Sequence, residues 1–176
     1  MTNEKKQIKR DLRGNLRTER RQIHSTKGRD FAGKIRTNFI QALNIMPQTV
    51  FGAYYPIGGE VNCRPLIDTL HAMGHTIALP VIVGREEPLI YRMYKSGDQL
   101  EKGMFGTPQP AEFMPEVRPD ILILPMLGYS EKGHRLGYGT GFFDRTIAQM
   151  REEKPLKVIG LAYSPQIIED FPSESH

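Results

Sequence analysis

The chain has 176 residues, 39% of them hydrophobic and 25% charged, which is the composition of an ordinary soluble domain. Its single cysteine, Cys63, excludes an internal disulfide and a cysteine-based zinc site, and the lack of a long apolar run or a secretory leader predicts a cytoplasmic protein. The net charge of +4 combines a net of +8 in residues 1–36 (12 Lys/Arg, 4 Asp/Glu) with −4 in the remainder, so the basic arm is expected to meet an anionic partner, either nucleic acid or a nucleotide.

The first predicted element is an amphipathic helix, because apolar residues recur every four positions from residue 8 to residue 16. Lys9, Arg13 and Arg17 follow the same spacing one position later, so they border the apolar stripe. These cations either point into a cleft where the helix docks or form a solvated face. A second helix is predicted from Phe31 to Phe39, after a break at residues 25–28.

Strands and helices alternate in the rest of the chain. Strands are predicted at residues 49–55, 76–79, 89–94, 121–124 and 157–162, and helices at residues 65–73 and 142–150. The pattern predicts one domain over residues 1–176, a three-layer α/β/α sandwich with a mostly parallel, Rossmann-like sheet and an N-terminal basic helix. In such sheets, ligands bind beyond the carboxyl ends of the strands.

The most informative segment is RLGYGTGFFD, residues 135–144, in which three glycines alternate with other residues. Glycine lets backbone N–H groups converge on an anion, and the start of a helix adds its positive end. An arginine binds phosphate oxygens, and a carboxylate beside them suits Mg²⁺. The segment therefore predicts a loop for a nucleotide phosphate and its metal. The alternative is a flexible glycine turn before a helix, since neither GxxxxGK[ST] nor the dinucleotide spacing is present.

Four segments in order resemble the 5-formyltetrahydrofolate cyclo-ligases, also called methenyltetrahydrofolate synthetases: residues 9–13, 54–62, 124–145 and 160–176. The resemblance implies closure of 5-formyltetrahydrofolate to 5,10-methenyltetrahydrofolate, with ATP and Mg²⁺ used and ADP and phosphate released. The formyl oxygen would be phosphorylated before N10 attacks. Phosphoryl transfer relies on positioning and charge neutralisation, which agrees with the lack of a Ser/His/Asp or Cys/His constellation.

The resemblance also assigns roles. The residues expected to bind ATP are Lys9, Arg13, Arg135, Gly137, Tyr138, Gly139, Thr140, Gly141, Phe142 and Phe143. Those expected to contact the folate are Tyr55, Glu60, Tyr138, Gly139, Thr140, Gly141 and Phe142, with Glu60 bonded to the pterin ring. Arg135 is the expected catalytic residue, and Asp144 the expected Mg²⁺ ligand. The partners would be these small molecules alone, with neither nucleic acid nor membrane, and the protein would be a monomer.

Each assignment has a structural alternative. Glu60 would then be a turn carboxylate, Asp144 would open the following helix, and Phe142 and Phe143 would be core aromatics. Thr140 stands where the family often has glycine or lysine, so its β-branched side chain is expected to keep an ordinary φ.

A second departure is the end of the sequence, because an Asp of the family would follow His176. We therefore expect the sequence to be truncated; the alternative is that the protein has lost a carboxylate that the resemblance links to the metal. Two other functions stay open: a nucleic-acid-binding module that uses the basic arm, and a diverged relative that acts on another formyl or carboxyl compound.

Overall fold

Three α-helices and nine strands follow one another along residues 3–169, the part of the chain that this computed structural model describes. In chain order these elements are α1 (Asn3–Ala42), β1 (Val50–Gly52), α2 (Arg64–Ala72), β2 (Thr76–Val81), β3 (Ile90–Met93), β4 (Glu101–Lys102), β5 (Pro108–Gln109), β6 (Ile121–Pro125), β7 (Gly128–Tyr129), β8 (Arg135–Leu136), α3 (Phe142–Glu153) and β9 (Lys157–Leu161). The prediction of one domain over residues 1–176 stays a prediction. The expected truncation concerns an end that lies outside the described residues.

Five strands form the central sheet in the order β3-β2-β1-β6-β9. Only β3 runs antiparallel to its neighbour, as expected for an edge strand reached by a short connection, and the other pairs are parallel. The β1–α2–β2 unit forms as predicted. Pro65 lies in the first turn of α2, and Gly74, with φ +86°, follows its end.

Two apolar cores lie on opposite faces of the sheet, and β6 contributes to both because successive side chains alternate between its faces. Ile123 packs with residues of α1 and α2, whereas Leu122 and Leu124 pack with Phe142 and Met150 of α3. All five residues of β6 are buried. The predicted three-layer α/β/α architecture is therefore confirmed.

The predicted break at residues 25–28 is wrong, because α1 continues through it as one helix of 40 residues. The Thr26 hydroxyl donates to the carbonyl oxygen of Gln22 at 2.9 Å, within the preceding turn, so it does not interrupt the helix. Gly28 lies against the ring of His24, whose Nδ1 accepts from or donates to the Tyr163 hydroxyl at 2.9 Å. Packing on the sheet thus overrides a local sequence that is typical of a turn.

The predicted strand at residues 49–55 is shorter in the structure, since only Val50–Gly52 pair in the sheet. Tyr54 and Tyr55 follow its carboxyl end, where the chain leaves the sheet. Residues 101–110 contain the short hairpin β4–β5. Among residues 3–169, no helix combines the length and apolar character needed to cross a membrane.

Candidate active site

A cavity of about 600 Å³ opens beyond the carboxyl ends of β1, β2 and β6, which is the edge that the sheet topology predicts for a ligand. Its size is typical of a small-molecule site. The walls come from α1, the turn after β1, the ends of β2 and β6, the residue before β3, the β4–β5 hairpin and the glycine segment. The lining residues are Arg17, Tyr54, Tyr55, Ile57, Glu60, Pro80, Ile82, Leu89, Phe105, Thr107, Pro108, Pro125, Arg135 and residues 137–144.

The glycine segment forms a loop that leads directly into α3. Gly139 has φ +92° and Gly141 has φ +72°, values that glycine adopts without a steric penalty. Gly141 is the N-cap of α3, and no side chain caps the first backbone N–H groups of this helix. Thr140 does not have a positive φ, as its β-branched side chain predicted. The open helix N-terminus can bind an anion, so the loop serves both as a glycine turn before a helix and as a candidate phosphate site.

Cations of α1 approach this loop from the opposite wall. The Arg13 Nε–H donates to the Gly137 carbonyl oxygen at 3.0 Å, and a Cβ added to Gly139 would lie 3.0 Å from Arg13 Cζ. The Arg17 guanidinium lies 5.8 Å from the centroid of the Tyr138 ring and lines the cavity. Lys9 is half-buried one turn before Arg13, and neither of these two residues is part of the cavity lining. The structure therefore brings the predicted Arg13 to the loop through its bond to Gly137.

Arg135 and Asp144 form an ion pair at the mouth of the cavity. The Asp144 side chain is 64% exposed, whereas that of Arg135 is 19% exposed. Asp144 lies in the first turn of α3, which holds its carboxylate beside the loop. Within the part of the chain that the structure describes, no group of three His, Cys, Asp or Glu residues is placed to hold a metal. A single exposed carboxylate still fits Mg²⁺, which takes most of its ligands from phosphates and water.

Glu60 is buried deep in the cavity wall, with 3% of its surface exposed. Its Oε2 accepts from the backbone N–H of Ile57 at 2.9 Å, and its Oε1 accepts from the Tyr138 hydroxyl. An Arg20 guanidinium nitrogen lies 4.0 Å from Oε1. Burial raises the pKa of Glu60, and these contacts partly oppose the shift. Glu60 is thus more than a turn carboxylate, since it is a desolvated acceptor facing the cavity.

Arg20 is a residue of the site that was not predicted from the sequence. This arginine is 2% exposed and donates to the carbonyl oxygens of Gly58 (3.0 Å) and Met126 (3.3 Å), as well as to the Tyr138 hydroxyl. A signal was present, because Arg20 lies four residues after Leu16 and so occupies the next position of the apolar stripe. A charged residue at a buried helix position indicates a specific partner.

Aromatic side chains complete the walls. Phe142 is 8% exposed and packs in the core beside Phe143, so both residues are core aromatics as well as lining residues. Phe105 lies 6.2 Å from Phe142 between ring centroids, and the Arg64 guanidinium lies 5.6 Å from the ring centroid of Tyr55. The cavity therefore offers flat apolar surfaces next to charged groups.

The fold and the site define an α/β protein in which a glycine-loop anion site and a buried carboxylate face one small-molecule cavity. The sequence model of the 5-formyltetrahydrofolate cyclo-ligase family matches residues 5–176, and the chain belongs to this family. Membership of this family confirms the prediction that the protein is a ligase of folate one-carbon metabolism.

Comparisons with individual proteins agree. The chain is similar to the 5-formyltetrahydrofolate cyclo-ligase of Haemophilus influenzae, at 32% identity over 141 residues that cover 76% of this chain and 75% of that protein. It is 31% identical to the 5-formyltetrahydrofolate cyclo-ligase of Mycolicibacterium smegmatis over 177 residues, covering 96% and 88% of the two chains. The structure of 5,10-methenyltetrahydrofolate synthetase from Aquifex aeolicus shares the fold, with a TM-score of 0.78 at 24% identity, over 96% of this chain and 84% of that one.

Proposed function

We propose that the protein closes 5-formyltetrahydrofolate to 5,10-methenyltetrahydrofolate and converts ATP to ADP and phosphate in the same reaction. The observation that carries this proposal is that the buried Glu60 carboxylate and the open N-terminus of α3 face one cavity. The first suits a heterocycle with N–H donors, and the second suits a phosphate chain. A reaction that joins the two substrates needs both in one enclosure.

The nucleotide would lie along the glycine loop. Backbone N–H groups at the start of α3 and the side chains of Arg13 and Arg135 would bind its phosphates, with Lys9 at the outer end. Asp144 would hold Mg²⁺, which neutralises phosphate charge when it is bound. Because Asp144 is exposed, its ion pair with Arg135 is weak and can be exchanged for these partners.

The folate would occupy the part of the cavity next to Glu60. The Glu60 carboxylate would accept hydrogen bonds from N–H groups of the pterin ring, and Tyr55 would flank the ring. The apolar residues Pro80 and Leu89 line the same cavity. They would keep water away from the formyl group while it is activated.

The chain contributes charge neutralisation more than a nucleophile. In the proposed reaction, the formyl oxygen attacks the γ-phosphorus and the bond to ADP breaks. N10 then attacks the formyl carbon, N10 loses its proton, and the carbon–oxygen bond breaks with phosphate as the leaving group. Arg135 would neutralise the charge that develops on the transferred phosphoryl group, which makes it the catalytic residue.

Transfer of an oxygen isotope tests this chemistry. With ¹⁸O in the formyl group, Mg²⁺ and ATP, one ¹⁸O atom should enter each phosphate released, as seen by the isotope shift in ³¹P NMR. If the ¹⁸O label were released into water and the phosphate stayed unlabelled, the result would contradict activation of the formyl oxygen. The cytoplasmic location, the monomeric state and the absence of nucleic-acid and membrane partners stay predictions.

A further inference from the structure

Arg20 connects three segments that border the cavity. It comes from α1, and its guanidinium donates to carbonyl oxygens that follow the carboxyl ends of the adjacent strands β1 and β6, at Gly58 and Met126. The same guanidinium donates to the Tyr138 hydroxyl of the glycine loop. Among the described residues, its Nε–H has no acceptor. A buried arginine with this many backbone bonds has one fixed position.

The Tyr138 hydroxyl lies between Arg20 and Glu60. It accepts from the arginine and donates to the carboxylate, so both of its hydrogen-bonding directions are in use. The Arg20 guanidinium also lies 5.3 Å from the centroid of the Tyr138 ring. Since Tyr138 stands between Gly137 and Gly139, the contact joins the Glu60 carboxylate to the backbone of the phosphate loop.

Other titratable groups around Glu60 come from three directions. His24 of α1 bonds the Tyr163 hydroxyl, which donates to the Glu60 carbonyl oxygen at 3.3 Å. Tyr54 and Cys63 lie on the segment that carries Glu60, and burial raises the pKa values of both groups. Among the residues that the structure describes, Arg20 alone brings a fixed positive charge within 4.0 Å of the carboxylate.

We propose that Arg20 is a positioning residue for the reaction: it keeps Glu60 ionised and aligned for the folate and, through Tyr138, fixes the glycine loop relative to that carboxylate. The folate part of this inference rests on the proposed function. The electrostatic part does not, because it concerns groups of the chain alone. Burial favours the neutral acid, and Arg20 and Tyr138 favour the carboxylate.

The first test measures the ionisation of Glu60 without any ligand. In protein labelled with ¹³C at glutamate carboxyl groups, the Glu60 signal is assigned by its loss in Glu60→Gln, and its titration is followed. We expect the midpoint to move to higher pH in Arg20→Gln and in Tyr138→Phe, with a smaller move in Arg20→Lys, which keeps the charge. Arg21→Gln is the matched control, because it removes an exposed charge from the next position of α1.

An unchanged Glu60 midpoint in both Arg20→Gln and Tyr138→Phe would overturn the inference. Tyr138→Phe keeps the test valid if Arg20→Gln does not fold, since it removes one hydroxyl and leaves the arginine in place.

The second test measures binding of 5-formyltetrahydrofolate by calorimetry without nucleotide, from pH 6 to pH 9. In Tyr138→Phe, affinity should fall at the acid end and recover as pH rises, and Glu60→Gln should bind weakly at every pH. A loss in Tyr138→Phe that is the same at every pH would contradict the proposed role. If the wild type did not bind the folate, the proposed function would fail, whereas the NMR titration would still decide whether Arg20 controls Glu60.

Discussion

Among single residues, Arg135 and Asp144 form an ion pair with each other, whereas their expected partners in the reaction are phosphate and Mg²⁺. The predicted role of Arg135 is to bind an anion and that of Asp144 is to bind a cation. An exposed ion pair of this kind contributes about 0–1 kcal/mol, so phosphate and Mg²⁺ can replace it at little cost. The pair keeps both side chains at the mouth of the cavity.

Replacing Arg135 by Ala should remove about 2–3 kcal/mol of transition-state stabilisation, because a charged donor is lost where negative charge develops. This loss lowers kcat/KM roughly 30- to 160-fold. Arg118→Ala is the matched control, since Arg118 pairs with Glu153 at 3.1 Å on the surface. Steady-state kinetics of both variants give the comparison. An Arg135→Ala enzyme as fast as the control would remove Arg135 from the mechanism.

Glu60 should make stability depend on pH. Its pKa in the folded protein is raised by burial, so its contribution is fully present below the ordinary carboxyl pKa and is lost as pH rises through the raised value. Compared with Glu60→Gln, the wild type should therefore lose free energy of unfolding as pH rises above the ordinary carboxyl pKa. Urea unfolding at several pH values measures the difference. A difference that is constant, or that grows in favour of the wild type, would show that Glu60 is not desolvated.

At the scale of elements, the glycine loop combines positive φ angles with close contact to α1. Gly139→Ala should destabilise the fold by about 1–2 kcal/mol through its φ of +92°. It should also weaken ATP binding, because the new Cβ would lie 3.0 Å from Arg13 Cζ and displace that cation from the loop.

Gly133→Ala separates these two effects. Gly133 has φ +82°, but a Cβ added there meets nothing within 4 Å. Both variants should lose similar stability in chemical unfolding, and only Gly139→Ala should lose ATP affinity in calorimetry. Equal ATP affinities in the two variants would count against a phosphate site at this loop.

Much of the fold could be predicted from the sequence because its signals are local. The apolar run at β6, Pro65 at the start of α2 and the glycines before α3 each specify their own backbone. The break predicted near Gly28 failed because packing against Tyr163, far along the chain, decides that turn.

The candidate site also has one part that could be predicted from local sequence and another that could not. The glycine loop is contiguous in sequence and could be predicted, whereas the Arg20–Tyr138–Glu60 contacts join positions 78 and 118 residues apart. Spacing along one helix shows that Arg20 lies on the apolar stripe, but it does not show which carboxylate the arginine meets. Such partners are determined by tertiary structure alone.

At the scale of the whole molecule, the basic arm is part of the cavity wall. Arg13, Arg17 and Arg20 of α1 reach the glycine loop near the other end of the chain. Two apolar residues of α1, Leu12 and Leu16, pack beside them in a small core with Leu136. Part of the net charge of +8 in residues 1–36 therefore faces a nucleotide-sized cavity. This placement favours the nucleotide over nucleic acid as the anionic partner of the arm.

Ultraviolet absorbance of the methenyl product formed from 5-formyltetrahydrofolate tests directly whether this protein carries out ATP-dependent cyclisation. Reactions would contain the protein with Mg²⁺ and ATP, with ATP omitted, or with Mg²⁺ omitted. We predict product only in the complete mixture, with one ADP released for each folate closed. Product without ATP, or no product under conditions in which both substrates bind, would contradict the assignment of ATP-dependent cyclisation to this cavity.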